Sequence, residues 1–303
     1  MAKEKLNRRA LPHLEHWITT AKNQAKSGTL PHYIPPLAQV DSTAFALQIQ
    51  TISGEIIAQG DTTLTVSLMS IIKPFLFLYC LAEFQPETVF KIVGTEYSDQ
   101  PFNSLSQLQN DGGKPRNPMI NSGAIALSSL LPGKDGFSSC EILQNWLNYH
   151  ANCRLFLDEK ILFSINSTPN QRNQEIAAEL QKAGYIPDAK IALDTYNHIC
   201  CLSANISDIT QLGMLLLKPI LYPYSSMVKA VMLTCGLYQA SSQFAVKVGV
   251  PVKSGVSGLI LTAIPQEGVI ICYSPPLDTE GNSIAGLFLV EKIVKTLKLS
   301  IFE

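Results

Sequence analysis

The sequence predicts an α/β protein, more narrowly α+β: one antiparallel sheet built from both chain ends, with flanking helices and an inserted helical region. Strand-like runs occur near residues 45–58 and again after Gly236, and the stretch between them is mainly helical. The chain has 303 residues and is 46% hydrophobic but only 16% charged, against a usual charged share of roughly 25%. That balance suits a large interior and argues against disorder.

Taken in order, residues about 9–27 carry Leu11, Leu14, Trp17 and Ile18 at helical spacing, which predicts an amphipathic N-terminal helix. Phe45–Gln50 and Glu55–Ala58 are strand-like, with Ser53-Gly54 between them as a hairpin turn. The apolar stretch from Ile71 to Ala82 contains Lys73 and is too short to span a bilayer, so it is read as a core helix opening near Ser67–Ser70. From about 85 to 235 helices predominate, broken by loops such as Asn110–Pro115. Three β-rich runs follow, Phe244–Val248, Gly258–Ala263 and Val269–Tyr273, and a last helix near Ser283–Leu297 closes the chain. No repeat, low-complexity tract or long linker interrupts this order. The expectation is therefore one domain over 1–303, its sheet drawn from about 28–66 and 236–303 and its helical part from about 67–235.

With 23 Lys+Arg against 24 Asp+Glu, the net charge is -1, which leaves no basic excess for a nucleic-acid backbone. Seven cysteines without a CxxC pair suit reduced thiols in a cytoplasmic protein. Met1–Lys5 leads into no apolar core, so neither a leader nor a membrane anchor is expected. His13 and His16 lie close together, but no ligand set is completed around them, and neither a metal nor a cofactor is expected.

The chemistry starts at Ser70-Ile71-Ile72-Lys73. Positions three apart share a helix face, so the Lys73 amine can reach the Ser70 hydroxyl. A serine becomes a nucleophile when a base takes its proton, and burial lowers a lysine's pKa enough for that work. The helix N-terminus adds positive potential where an oxyanion would form. Late in the chain stands Lys253-Ser254-Gly255. Ser-x-x-Lys early and Lys-[Ser/Thr]-Gly late is the pattern of serine β-lactamases and penicillin-binding proteins. The alternative is an ordinary strand-end turn at 253–255 and a snorkelling helix lysine at 73. Ser203-Ala204-Asn205 has a Ser-x-Asn form, but beside Ile206-Ser207-Asp208 it is read as a helix cap.

Beyond these motifs the chain resembles the serine-dependent glutaminases, which share a β-lactamase-like fold. The resemblance runs from about Gly28 to Val290. It is carried by His32–Pro35, Gly60–Thr62, Ser70–Pro74, Pro101–Ser104, Asn117–Ile125, Gln171–Asn173, Cys235–Tyr238 and Pro251–Val256. It implies hydrolysis of L-glutamine to L-glutamate and ammonia through a glutamyl ester of Ser70. It also implies that Lys73 and Tyr33 move protons near the nucleophile, and that Tyr238 assists proton transfer to the departing ammonia. The backbone N–H groups of Ser70 and Val256 would hold the oxyanion, while Asn121, Asn173 and Tyr196 would grip the amino-acid end of the substrate. A homodimer or homotetramer is implied on the same ground alone.

The chain departs from the family pattern at several places. Asn166 stands seven residues before Asn173, where the family has a glutamate that pairs with the substrate ammonium. A hydrogen bond to a charged partner is worth roughly 1.5–3 kcal/mol, so this change would weaken capture about 10- to 150-fold unless Glu159 or Glu175 substitutes. Met69, Ile72, Cys201 and Ser242 replace glutamine, serine, serine and glycine. Asp99 replaces a glycine where a positive φ would be uncomfortable. Two other outcomes are therefore open: an impaired relative that binds an amino-acid-like ligand, and an acyl-serine hydrolase acting on another substrate.

Overall fold

The computed structural model describes residues 5–168 and 170–303. The reading of residues 1–4 lies outside the described residues.

The first hairpin forms as its alternation requires, with β1 (Ala46–Thr51) and β2 (Ile56–Gly60) antiparallel and Ile49 opposite Ile57. Three further strands come from the other end of the chain: β6 (Val252–Ser254), β7 (Leu259–Ile264) and β8 (Gly268–Tyr273). Here β3 (Thr65–Ser67), β4 (Phe156–Leu157) and β5 (Leu202–Asn205) belong to a separate small sheet. The five-stranded order is β2-β1-β8-β7-β6, so the two chain ends meet at β1–β8, where Ile49 faces Ile270.

Period-2 alternation divides the sheet between two cores. Ile260, Ile264, Ile270 and Cys272 pack with Leu14, Leu289 and Ile293 of the terminal helices Leu14–Ala25 and Ile284–Leu297. Leu259, Leu261, Val269 and Ile271 pack into the helical body with Leu212 and Phe75. Both faces are covered, so β7 and β8 are buried throughout and their runs are almost continuously apolar. Ser283 caps the closing helix by accepting from the Gly286 N–H at 3.3 Å.

Three expectations need correcting. Phe244–Val248 is not a strand; it falls in and just after the helix Ser241–Lys247. Phe244 and Val248 are buried while Val246 is 91% exposed, the spacing of a helix face rather than a strand. Thr65–Ser67 leaves the main sheet and pairs with β5, which extends the predicted cap at Asn205 into a strand. Asn205 still caps the helix Ile206–Met214, accepting from the Asp208 N–H at 2.8 Å. Asp99 is not among the described non-glycine residues of positive φ, so no strain arises there.

The helix Ile72–Ile92 is interrupted at Gln85 (φ 64°), just before Pro86. Its first part, from Ile72 to Leu81, is buried, and this rod carries Lys73 into the interior. No helix of the described residues is long and apolar enough to cross a membrane.

One close approach positions the late motif. A Cβ at Gly236 would lie 1.7 Å from the Val252 carbonyl oxygen, and the Gly236 carbonyl itself accepts from Lys253 Nζ at 3.0 Å. Gly236→Ala is expected to destabilise the protein by about 2–3 kcal/mol, read as a lower urea midpoint at unchanged slope.

Candidate active site

Ser70 lies in a 3₁₀ turn, Met69–Ile71, that runs directly into the helix Ile72–Ile92. Two backbones hold this turn. Leu68 N–H donates to Leu202 O of β5 at 2.8 Å, and a Cβ at Gly255 would come within 3.0 Å of Leu68 O. The end of the 253–255 segment therefore packs against the entrance to the nucleophile helix, which only glycine permits at this distance. Met69 (φ 45°) and Tyr238 (φ 56°) both adopt left-handed backbone. Such residues cost about 1–3 kcal/mol each and persist where the surroundings over-determine them, commonly at active sites.

Tyr238 is the side chain bonded to Ser70. Its hydroxyl is within hydrogen-bonding reach of Ser70 and also donates to Ser254 O at 3.4 Å. Its ring packs on Phe102, with centroids 4.8 Å apart, and Lys253 Nζ lies 4.3 Å from its centroid. Burial raises its phenol, while the bonds to Ser70 and Ser254 act in the opposite direction.

Two fully buried lysines flank this pair. Lys73 Nζ donates to Asn121 Oδ1 at 2.7 Å and to Met119 O at 3.3 Å, so its hydrogen bonds go to these carbonyls rather than to the Ser70 hydroxyl. A buried amine must satisfy its donors, and these acceptors lie beside it. Desolvation lowers it from the ordinary lysine value to about 8, with Cys200 acting in the opposite direction. Lys253 Nζ donates to Ser254 O at 2.7 Å as well as to Gly236 O. Burial, and secondarily the like charge of Lys73, hold it well below the lysine range.

Asn121 is the hub. It opens the helix Asn121–Ser128, and its Oδ1 accepts from Lys73 and, at 3.1 Å, from Tyr196 Oη. Its Nδ2 donates to Asn173 Oδ1 at 2.9 Å. Asn173 lies in the first turn of the helix Gln171–Lys182, where its N–H donates to the Asn170 cap at 3.0 Å. Cys200, one helical turn beyond Tyr196, is bonded to it, and burial pushes its thiol up to about 11. Sequence reasoning passed over Cys200 and Asn170. The four-residue offset from Tyr196 and the Asn170-x-x-Asn173 cap pattern were the available signals.

These groups line a cavity of about 320 Å³ that includes Tyr33, Ser70, Asn121, Asn173, Tyr196 and Val256. Tyr33 stands at the rim, 60% exposed, and its phenol is nevertheless raised, first by desolvation and then by Tyr238. Among the described residues no charged side chain lines this cavity. Asn166 is exposed and lines an adjoining cavity instead. Neither suggested substitute lines either cavity: Glu159 is exposed, and Glu175 pairs with Arg172 at 3.0 Å and accepts from Gln171. Met69 and Cys201, two of the departures, are buried in one apolar cluster with Leu37 and Val256. Their loss of polarity is thus matched between neighbours.

An antiparallel sheet from both chain ends, with a buried Ser-x-x-Lys helix meeting a Lys-Ser-Gly strand, defines a protein of the β-lactamase-like class. The family model for glutaminase matches residues 28–302, and the chain belongs to the glutaminase family, a family of amidohydrolases. It is 47% identical to a glutaminase of Synechocystis sp. over 280 residues, 91% of this chain and 86% of that protein. The probable glutaminase from Bacillus subtilis complexed with 6-diazo-5-oxo-L-norleucine is similar in structure, with TM-score 0.86 and 29% identity, covering 100% of this chain and 99% of that one. The covalent complex of a Bacillus subtilis glutaminase with 5-oxo-L-norleucine gives TM-score 0.84 and 28% identity, over 97% of this chain and 100% of the other.

Proposed function

We propose that the protein hydrolyses the side-chain amide of L-glutamine through an ester on Ser70. The observation that carries this is Ser70 on the cavity wall, bonded to Tyr238 and flanked by two buried lysines held below the ordinary lysine range. The Ser70 oxygen attacks the carboxamide carbon, and its proton passes to the neutral amine of Lys73, with Tyr33 and Tyr238 as relays. The Ser70 and Val256 N–H groups hold the developing oxyanion. Collapse breaks the carbon–nitrogen bond as Tyr238 delivers a proton to the leaving ammonia, and water then cleaves the ester to release glutamate. Asn121, Asn173 and Tyr196 form the polar wall for the amino-acid end, and Asn166 lies beyond it. The alternative of an impaired relative is favoured by the uncharged lining, and it is decided by the same assay.

The test combines ammonia release from L-glutamine with mass spectrometry of the protein after 6-diazo-5-oxo-L-norleucine. Ammonia release and an adduct on the Ser70 peptide support the reading; a folded protein giving neither overturns it. Tyr238→Phe is expected to lower kcat about 100-fold with little change in KM, because it removes a proton relay and not a binding contact.

The same reading places the enzyme in the cytoplasm as a homodimer or homotetramer. The first part is supported by seven buried cysteines, all free thiols, and the second by the family resemblance alone.

A further inference from the structure

A free glutamine carries an ammonium, and this cavity is poorly built to receive one. Lys73 and Tyr196 both donate to Asn121 Oδ1, which forces Asn121 Nδ2 toward Asn173 and makes Asn173 Oδ1 the acceptor. Both amide oxygens are thereby occupied, and the group Asn173 has left to offer is a donor, its Nδ2. A donor suits a carbonyl or a carboxylate; an ammonium, which has only donors, finds neither an acceptor here nor a carboxylate in the described lining. The wall is also open. A second cavity, of about 560 Å³, adjoins the first and shares Ile165, Asn170, Asn173 and Asn197 with it. Its further lining is amide-rich, with Asn166 and Gln174, and carries one charge of each sign, Lys190 and Asp194. Asp194 is already engaged by the Gly136 N–H at 2.9 Å and by His198 at 3.3 Å.

We infer that the preferred substrate is a glutamine whose α-nitrogen is acylated, the acyl group lying in the second cavity and its carbonyl accepting from Asn173 Nδ2. Acylation makes the nitrogen neutral, so no counter-charge is required and an amide at position 166 is sufficient. The chemistry is otherwise unchanged: water converts the side-chain carboxamide to a carboxylate and ammonia, and the acyl amide stays intact. This inference rests on the amidohydrolase reading of Ser70 and deepens it by naming the substrate class.

The experiment compares ammonia release from L-glutamine, N-acetyl-L-glutamine and L-alanyl-L-glutamine. The acylated compounds are expected to give kcat/KM about tenfold or more above L-glutamine, mainly through KM. Ala189→Trp, which fills the second cavity from its wall, is expected to lower kcat/KM about tenfold for the acylated compounds and to leave L-glutamine unchanged. Higher kcat/KM on free L-glutamine than on both acylated compounds would overturn the inference while leaving the amidohydrolase reading standing. So would an Ala189→Trp variant that lowers all three rates alike. No ammonia from any of the three compounds overturns the amidohydrolase reading, and this inference with it.

Discussion

Ser70→Ala is expected to lower ammonia release at least about 10⁴-fold while leaving the protein folded, since nucleophile removal in comparable serine hydrolases costs up to about 10⁶. The oxygen lost is the one that forms the ester, and the oxyanion donors and binding wall left behind retain only a residual acceleration. Folding should be spared because Ser70 is held by its backbone, between Leu202 and Gly255, and not through its hydroxyl. The measurement is initial-rate ammonia release beside circular dichroism and thermal melting. Retained turnover above about a hundredth of the parent rate would move the chemistry to another residue.

The second large effect is at Lys73, where activity and stability are expected to move in opposite directions. Lys73→Met should reduce kcat about 10³- to 10⁴-fold through loss of the base. It should also stabilise the fold. The amine is lowered from 10.5 to about 8 in the folded protein. Between about pH 8 and 10.5 the unfolded chain therefore binds a proton that the folded chain has shed, and stability rises with pH through that window. Below about pH 8 the full penalty applies, on the order of 3 kcal/mol for a shift of this size. An apolar side chain of similar length removes that penalty but leaves the oxygen of Asn121 with Tyr196 alone. The expected net gain is about 1–2 kcal/mol at pH 7, by urea unfolding.

The same amine sets the pH profile. Its neutral form is the base, so log kcat/KM of the parent enzyme should rise with unit slope as pH approaches about 8 and then flatten. Lys73→Met should abolish that limb. A profile flat from pH 6 to 9 in the parent would show that another group carries the proton.

Much of the fold was legible in the chain because its strongest signals are local. The alternation of Ala46–Thr51, the turn at Ser53-Gly54 and the apolar runs at 259–264 and 268–273 each declare a strand from a few neighbours. Phe244–Val248 misled because its valines and phenylalanine favour strands, although its buried positions lie four apart. β3, β4 and β5 were invisible for a different reason. They are two to four residues long, too short for a period, and exist because partners distant in sequence pair with them.

The site divides in the same way. By itself the sequence determined which groups are available: a serine and a lysine three apart on an apolar helix, a Lys-Ser-Gly run near a late strand, and the asparagines and tyrosines of a recognisable family. Tertiary structure alone decided how they meet. Lys73 turns to an asparagine 48 residues away, that asparagine passes its orientation to another 52 residues on, and Asn166 is left outside the wall they form. Hydrogen-bond direction propagates through side chains brought together by packing, and no local periodicity encodes which oxygen of a buried amide will already be occupied.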